Sequence, residues 1–278
     1  MCTTCGCSPD ELLNHVHDHD GQEHSHHKHD HKHGHKHSHD QEQDHEHPHD
    51  HAHDHHAHKD GKRTVIAIEE DILAKNNRLA SFNRALFKDK GIFVLNLVSS
   101  PGSGKTTLLE RTLRDLAGKL SFAVIEGDQQ TDNDAQRIAA TGVPVRQINT
   151  GAGCHLDAHQ VMHGTESFDL DNLNILMIEN VGNLVCPASF DLGEHHKVAV
   201  LSVTEGEDKP LKYPQMFRNS TVMLLNKTDL LPHLDFDVEK CKEYARRVNP
   251  AITIFEISAR TGEGMDAWYN WLGEGAVR

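Results

Sequence analysis

The feature that most constrains the fold is a glycine-rich loop between two apolar segments. Residues 92–98 are apolar except for Asn96, and the sequence Ser99-Ser-Pro-Gly-Ser-Gly-Lys105-Thr106-Thr107 follows them directly. The apolar run is typical of a buried strand, and the leucines after the loop begin a helical pattern. A strand, a glycine-rich loop and a helix in this order predict a phosphate-binding P-loop.

The chemistry of phosphate binding explains the residues of this loop. Glycines let backbone N–H groups approach phosphate oxygens, a lysine reaches the outer phosphates, and a threonine hydroxyl is a ligand for Mg²⁺. Ser99 occupies the position of the first glycine in the usual pattern, whereas the glycines nearest the phosphates are present. The predicted phosphate-binding residues are Gly102, Ser103, Gly104, Lys105, Thr106 and Thr107.

Two later strands end in carboxylates, at the edge where open α/β sheets bind ligands. Asp128 follows the apolar residues 122–125, and Glu179 ends the strand predicted at 174–179. We expect both side chains to serve the Mg²⁺ ion, with Asp128 acting through water or orienting the attacking water. Gly182 follows Glu179 and could sense a γ-phosphate. Lys105, Asp128 and Glu179 are therefore the predicted catalytic residues.

The segment Asn226-Lys227-Thr-Asp229 predicts recognition of guanine. The Asp229 carboxylate can accept both N–H groups on the N1 and N2 edge of guanine, a pair that adenine lacks. Ser258 and Ala259 follow the last predicted strand and offer a backbone loop for the guanine oxygen. The order of these motifs favours GTP over ATP.

The strand pattern predicts an α/β fold with a mostly parallel, doubly wound sheet of the P-loop NTPase type. Five apolar residues ahead of the first strand have helical spacing and predict an amphipathic helix that ends near Lys90, with Gly91 terminating it. These residues are Ile68, Ile72, Leu79, Phe82 and Leu86. The predicted strands are 92–98, 122–127, 144–149, 174–179, 197–203, 221–226 and 252–257.

The N-terminal part of the chain is not expected to fold by itself. Residues 15–58 contain 20 of the 26 histidines and very few apolar residues, so burial cannot offset the entropy of ordering this segment. We divide the chain into a cysteine motif at 1–9, a disordered His-rich tail at 10–61 and a GTPase domain at 62–278. Closely spaced imidazoles predict that the tail binds nickel, copper or zinc. A solvated linker or an affinity tag is the alternative interpretation.

Cysteines provide two further candidate metal sites. Cys2, Cys5 and Cys7 are close enough to chelate one soft metal ion, with adventitious thiols as the alternative. Cys154 and His155 follow the third strand, and Cys186 lies four residues after Gly182.

The second set suits zinc or nickel, and movement of the switch around Gly182 would displace Cys186. Three ligands from one chain leave the site open, so a second chain could complete it. Alternatively, Cys154 and Cys186 are buried thiols and His155 caps a helix. His159 and His163 could widen the site, although an exposed polar stripe is the favoured interpretation.

Composition excludes several classes of function. The formal net charge is −14 and there is no basic stripe, so nucleic acid is not an expected partner. No apolar run reaches the roughly 18 residues that a membrane span requires, and a secretory signal is absent. We expect a cytoplasmic protein whose thiols are available as metal ligands.

The combined motifs resemble the HypB family of hydrogenase nickel-incorporation GTPases. The resemblance rests on the N-terminal Cys-x-x-Cys-x-Cys, the His-rich tail, Ser-Ser-Pro-Gly-Ser-Gly-Lys-Thr, Glu-Gly-Asp-Gln-Gln, Gly-Cys-His, Glu-Asn-Val-Gly-Asn-Leu-Val-Cys-Pro and Asn-Lys-x-Asp. It implies slow GTP hydrolysis in a dimer that depends on GTP and metal. It further implies a nickel site at Cys2, Cys5 and Cys7, and a nucleotide-linked Ni²⁺ or Zn²⁺ site at Cys154, His155 and Cys186.

The resemblance also implies partners and a task. Nickel would pass, with a HypA-type chaperone, to the large subunit of a [NiFe] hydrogenase. Two alternatives stay open: a His-rich store of nickel or zinc with an incidental GTPase, and a GTPase that delivers nickel to urease.

Overall fold

The computed structural model describes residues 57–129 and 132–277, with side chains from Ile68 onward. The predicted site at Cys2, Cys5 and Cys7 and the tail up to residue 56 lie outside these described residues. Among the helices that are described, none is long and apolar enough to cross a membrane.

Helices and strands alternate along the described chain. The helices are α1 (Ala57–Lys90), α2 (Lys105–Asp115), α3 (Asn133–Ala139), α4 (Ala158–Thr165), α5 (Lys209–Lys212), α6 (Pro214–Asn219), α7 (Val238–Val248) and α8 (Met265–Ala276). The strands are β1 (Phe93–Ser99), β2 (Phe122–Asp128), β3 (Val145–Asn149), β4 (Ile175–Glu179), β5 (His196–Ser202), β6 (Val222–Asn226) and β7 (Thr253–Glu256). Short 3₁₀ turns cover Leu170–Asn172, Cys186–Ala188 and Thr228–His233.

The strands form one sheet in the order β3-β2-β4-β1-β5-β6-β7, and every pairing in it is parallel. The predicted fold class is confirmed, and each predicted strand lies within a residue or two of an observed one. The central strands β1, β4 and β6 are buried along their whole length. Strands buried on both faces have continuous apolar runs, which is why the sequence pattern located them well.

Both faces of the sheet carry a hydrophobic core. On one face, leucines of α2 pack with Trp268 and Leu272 of α8 against β1. The Trp268 indole also donates a hydrogen bond of 3.1 Å to Thr112 Oγ1 in α2. On the other face, Phe87 of α1 and Val161 of α4 share a core with β1, β2 and β4. The carboxyl ends of the strands meet at one edge of the sheet, where loops cover Ser99, Glu179 and Asn226.

Helix α1 begins earlier in the chain than predicted. It begins at Ala57, inside the segment 10–61 that was predicted to be a disordered tail. It ends at Lys90 before Gly91, as predicted, and Gly91 has a left-handed φ of 65°.

The predicted apolar face of α1 is wrong. Ile68, Ile72 and Phe82 are 53%, 45% and 70% exposed, and Leu79 and Leu86 are only half-buried. The inward face contains Asn76 and Asn83.

The inward asparagines satisfy backbone groups of neighbouring loops, which explains the difference. Asn83 Nδ2 donates to the carbonyl oxygens of Ala158 and Leu192 at 2.8 and 3.0 Å. Asn76 accepts a hydrogen bond from the Ala158 N–H and donates to the Asp191 carbonyl oxygen. Buried backbone groups need partners, so polar residues share this face with the buried Ala80 and Phe87. Hydrophobic spacing alone cannot reveal such contacts.

Replacing Asn83 by Ala is expected to lower the free energy of unfolding by about 2–3 kcal/mol, because two buried carbonyl oxygens lose their donor. Urea denaturation measures this change. Phe82→Ala is the matched control on the exposed face of the same helix, and it should change stability by less than about 0.5 kcal/mol. Equal effects of the two substitutions would contradict the assignment of the inward face.

Candidate nucleotide and metal site

The loop between β1 and α2 has the backbone shape of a phosphate cradle. Gly102 and Gly104 have φ values of 74° and 96°, in the left-handed region that side chains rarely adopt. A Cβ atom on Gly104 would lie 2.7 Å from the side-chain nitrogen of Asn226. The loop therefore requires glycine there for both its conformation and its packing.

Lys105 and Thr106 begin helix α2 and face the carboxylate at the end of β4. Thr106 Oγ1 donates to Glu179 Oε1 at 2.8 Å, and Lys105 Nζ donates to Ser99 Oγ at 2.9 Å. Burial lowers the pKa of Lys105, while the nearby Glu179 charge raises it. Thr106 and Glu179 are thus adjacent, as their predicted shared role with Mg²⁺ requires.

Glu179 has unused capacity to bind a cation. Its side chain is buried, and Glu179 Oε2 has no hydrogen-bond partner within the described part of the chain. Burial raises the pKa of Glu179, and the Lys105 charge opposes that shift. A buried carboxylate oxygen without a donor fits an ion that binds oxygen ligands, which is the chemistry of Mg²⁺.

A third carboxylate, Glu126, belongs to this cluster and was not predicted. Glu126 pairs with Glu179 in the register of β2 and β4, is 2% exposed, and its Oε2 lacks a partner within the described residues. Side chains two apart on a strand lie on the same face, so Glu126 shares the face of Asp128. The alternation of side chains along β2 could therefore have identified Glu126 from the sequence.

Asp128 lies at the carboxyl end of β2, and its Oδ1 accepts a hydrogen bond of 2.6 Å from the Gln129 N–H. It is close enough to Glu126 for its charge to raise the pKa of that carboxyl. The structure therefore places all three predicted catalytic residues, Lys105, Asp128 and Glu179, at one edge of the sheet.

The segment after β4 packs directly against the P-loop. A Cβ atom on Gly182 would lie 3.2 Å from backbone atoms of Pro101. The absence of a side chain permits this close approach of the Gly182 backbone to the P-loop.

Four of the five predicted guanine-recognition residues, all except Ser258, line a cavity of about 180 Å³ beside the P-loop. Its lining residues are Gly104, Thr107, Asn226, Lys227, Asp229, Leu230, Ala259 and Arg260. Ser258 Oγ donates to Asp229 Oδ1 at 2.7 Å, which orients the carboxylate. Asn226 donates to the Ser103 carbonyl oxygen and accepts from the Ala259 N–H, so it joins the two loops. Lys227 donates to the Gly102 carbonyl oxygen at 2.6 Å.

The structure brings Cys154, His155 and Cys186 together. One ligand atom from each lies within 4.8 Å of the others, although the loops come from different strands. Burial lowers the pKa of His155, which keeps the imidazole neutral and able to bind a metal. Its ring lies 3.9 Å from that of Phe190, measured between centroids. Two sulfurs and one imidazole suit zinc or nickel.

His159 and His163 form a separate pair on α4. His163 Nε2 lies 3.1 Å from His159 Nε2, and His163 Nδ1 lies 2.9 Å from Glu166 Oε1. These two histidines do not belong to the cluster of Cys154, His155 and Cys186. The contacts of His163 are exposed, in agreement with the interpretation as an exposed polar stripe.

Comparisons with known proteins found a matching family model and similar proteins. Residues 93–256 match the family model described as CobW/HypB/UreG, nucleotide-binding domain. The hydrogenase maturation factor HypB of Azotobacter vinelandii is 65% identical over 218 residues, covering 78% of this chain and 72% of the relative. HypB of Escherichia coli K12 is 65% identical over 211 residues, covering 76% and 73%.

A solved structure with a similar fold is that of HypB from Helicobacter pylori in complex with nickel. It superposes with a TM-score of 0.70 at 39% identity, and the match covers 73% of this chain and 95% of that one.

A titration prediction follows from Glu126. Burial and the charge of Glu179 raise its pKa in the folded protein to about 8, above the ordinary value of 4.5. Between these pH values the unfolded carboxyl has lost its proton and the folded one keeps it, so stability falls as the pH rises. Glu126→Gln removes the titrating carboxyl and with it this fall of stability at high pH. Without nucleotide, the variant should be about 2 kcal/mol more stable than the native protein at about pH 8.

The two proteins should approach equal stability at about pH 4, where Glu126 is protonated whether folded or unfolded. Urea denaturation at several pH values provides the comparison. Parallel stability curves at every pH would show that Glu126 is ionised in the folded protein.

Proposed function

Because the chain belongs to the HypB family of hydrogenase maturation factors, we propose that it is a GTP-hydrolysing metallochaperone that delivers nickel to the large subunit of a [NiFe] hydrogenase. The observation that carries the proposal is the convergence of Cys154, His155 and Cys186 beside a nucleotide switch. Cys186 follows Gly182 by four residues, and Gly182 abuts the P-loop. A movement of Gly182 in response to the γ-phosphate would therefore reach the metal ligand Cys186 through only four residues of backbone.

Hydrolysis requires positioning and charge stabilisation more than covalent chemistry. The P-loop N–H groups and Lys105 bind the phosphates, and Thr106 and Glu179 would hold Mg²⁺. When bound, Mg²⁺ neutralises the charge that develops on the phosphate oxygens. Asp128 holds the ion through water or orients the attacking water, and Asp229 selects guanine.

The nickel ion is the cargo of this cycle. Cys154, His155 and Cys186 supply three ligands, one fewer than a tetrahedral site needs, so we propose that two chains close over the metal when GTP is bound. Hydrolysis then moves the segment from Gly182 to Cys186 and releases the ion. Zn²⁺ is the competing occupant of the same ligand set.

The N-terminal segments extend this proposal. Cys2, Cys5 and Cys7 would form a second nickel site, and the His-rich tail would store nickel in the cytoplasm. A HypA-type chaperone is the proposed partner in transfer to the hydrogenase. These assignments rest on the composition of the segments and on family resemblance.

Replacing Asp229 by Ala is expected to reduce the preference for GTP over ATP by about 10–100-fold, because hydrogen bonds to a charged group contribute roughly 1.5–3 kcal/mol. Competition binding with the two nucleotides measures this ratio. Ser258→Ala leaves the carboxylate in place and should have a smaller effect. An unchanged preference in Asp229→Ala would refute its role in base recognition.

The metal site can be tested in the full-length chain after Cys2, Cys5 and Cys7 are replaced by Ser. Absorption from thiolate to Ni²⁺ then reports on the globular cysteines, since imidazoles of the tail contribute no sulfur ligand. Cys186→Ala should abolish or strongly weaken this absorption. The matched control is Cys241→Ala, because Cys241 is buried in another core. Full retention of the signal without Cys186 would refute its role as a ligand.

A further inference from the structure

Four buried polar side chains, Asn180, Asn96, Glu194 and Lys197, form a continuous series that we call the polar chain. Asn96 belongs to β1 and Lys197 to β5, while Asn180 directly follows β4 and Glu194 lies two residues before β5 begins. Asn180, Asn96 and Lys197 are 2%, 0% and 6% exposed, and the side chain of Glu194 is 7% exposed. None of the four has a role in the proposed chemistry of nucleotide or metal binding.

Asn180 lies between the two halves of the site. It directly follows Glu179, and its backbone N–H is held by the Leu97 carbonyl oxygen at 3.0 Å. Its side-chain Oδ1 accepts from the N–H groups of Leu156 and Val181, both at 3.0 Å. Leu156 immediately follows His155, and Val181 immediately precedes Gly182. One amide oxygen therefore joins a metal-ligand loop to the nucleotide switch.

Lys197 holds the other metal-ligand loop. Its ammonium group donates to the carbonyl oxygens of Pro187, Ala188 and Phe190 at 2.9, 3.0 and 3.0 Å. An ammonium group has three N–H donors, and here each one has a carbonyl acceptor. These carbonyls belong to the turn that begins at Cys186 and to Phe190, against which His155 packs.

Asn96 and Glu194 connect the two ends. Asn180 Nδ2 donates to Asn96 Oδ1 at 3.2 Å, and Asn96 Nδ2 donates to Glu194 Oε1 at 3.1 Å. Glu194 Oε1 lies 3.9 Å from Lys197 Nζ. Asn96 and Lys197 are also partners in the register of β1 and β5. The connection is therefore built into the sheet.

The free-energy cost of leaving a buried polar group without a partner restricts the polar chain to a few well-defined arrangements. A buried polar atom that loses its partner costs about 1–3 kcal/mol, and more if it is charged. Displacement of Asn180 must therefore be accommodated by its hydrogen-bond partners, which include Leu156 and Asn96, and from Asn96 it reaches Glu194 and the ion pair with Lys197. Such an all-or-none element is what coupling between two sites requires.

We propose that Asn180 is a positioning residue that transmits movement of the Gly182 switch to both metal-ligand loops through the polar chain. This inference rests on the proposed function, since it specifies how nucleotide state alters the site of Cys154, His155 and Cys186. The covalent link from Gly182 to Cys186 moves only one ligand loop. The Asn180 amide also moves the loop that carries Cys154 and His155, so the three ligands respond together.

The test measures Ni²⁺ affinity in the full-length chain with Cys2, Cys5 and Cys7 replaced by Ser. The thiolate-to-nickel absorption band reports how much nickel is bound. The measured quantity is the ratio of affinities with GDP and with a non-hydrolysable GTP analogue. In that parent protein we expect a ratio that differs from one by about fivefold or more. Asn180→Ala should bring the ratio close to one while nickel still binds.

Asn174→Ala is the matched control, because Asn174 accepts hydrogen bonds from Ser121 at the opposite end of β4. It should leave the ratio unchanged. A second variant, Glu194→Gln combined with Lys197→Met, removes both buried charges and tests the far end of the polar chain independently. It should also reduce the ratio, and adding Asn180→Ala to it should cause little further change.

The outcomes separate this inference from the function on which it rests. A coupled parent protein whose ratio persists in Asn180→Ala would overturn the role of Asn180 and leave the proposed function standing. A persistent ratio in the Glu194 and Lys197 variant would overturn the polar chain. Equal affinities in the two nucleotide states of the parent would refute nucleotide-gated transfer and the inference together.

Discussion

One buried ammonium group faces several carboxylates at the carboxyl edge of the sheet. The charges of Glu179, Asp134, Glu126 and Asp128 all act on Lys105. Two of these carboxylates, Glu126 and Glu179, are buried on adjacent strands in register. A single lysine cannot balance them in a region of low dielectric constant, so burial and neighbouring carboxylates raise the pKa of both Glu126 and Glu179. This cluster of buried carboxylates fits the Mg²⁺ ion of the proposed GTPase cycle.

The sheet and the P-loop could be predicted from sequence because their causes are local. A strand buried on both faces must be apolar throughout, and a loop that wraps phosphate must place glycines at particular positions. The same reasoning located Cys154, His155 and Cys186 as candidates, because each lies where a strand gives way to a loop. Their meeting within 4.8 Å depends on strand order, which the local pattern does not contain.

Errors arose where polar groups satisfy distant backbone atoms. Helix α1 has a regular apolar stripe, but the face that it buries carries Asn76 and Asn83 because these side chains complete hydrogen bonds of other loops. Glu126 was missed for a different reason: its position two residues before Asp128 places it on the same face of β2, a signal that the sequence contains but that was not used. The polar chain from Asn180 to Lys197 was invisible, since its members are separated in sequence and become neighbours only through parallel pairing.

The strand order has a consequence for biosynthesis. The P-loop follows β1, yet β1 pairs with β4 and β5, whose residues are synthesised much later. Two further contacts to the P-loop come from Asn226 and Lys227, after β6. Because contacts between distant parts of a chain form late, the first half of the domain emerges from the ribosome before its partners exist. Nucleotide therefore cannot template the early stages of folding, and the cradle assembles only once most of the domain has been made.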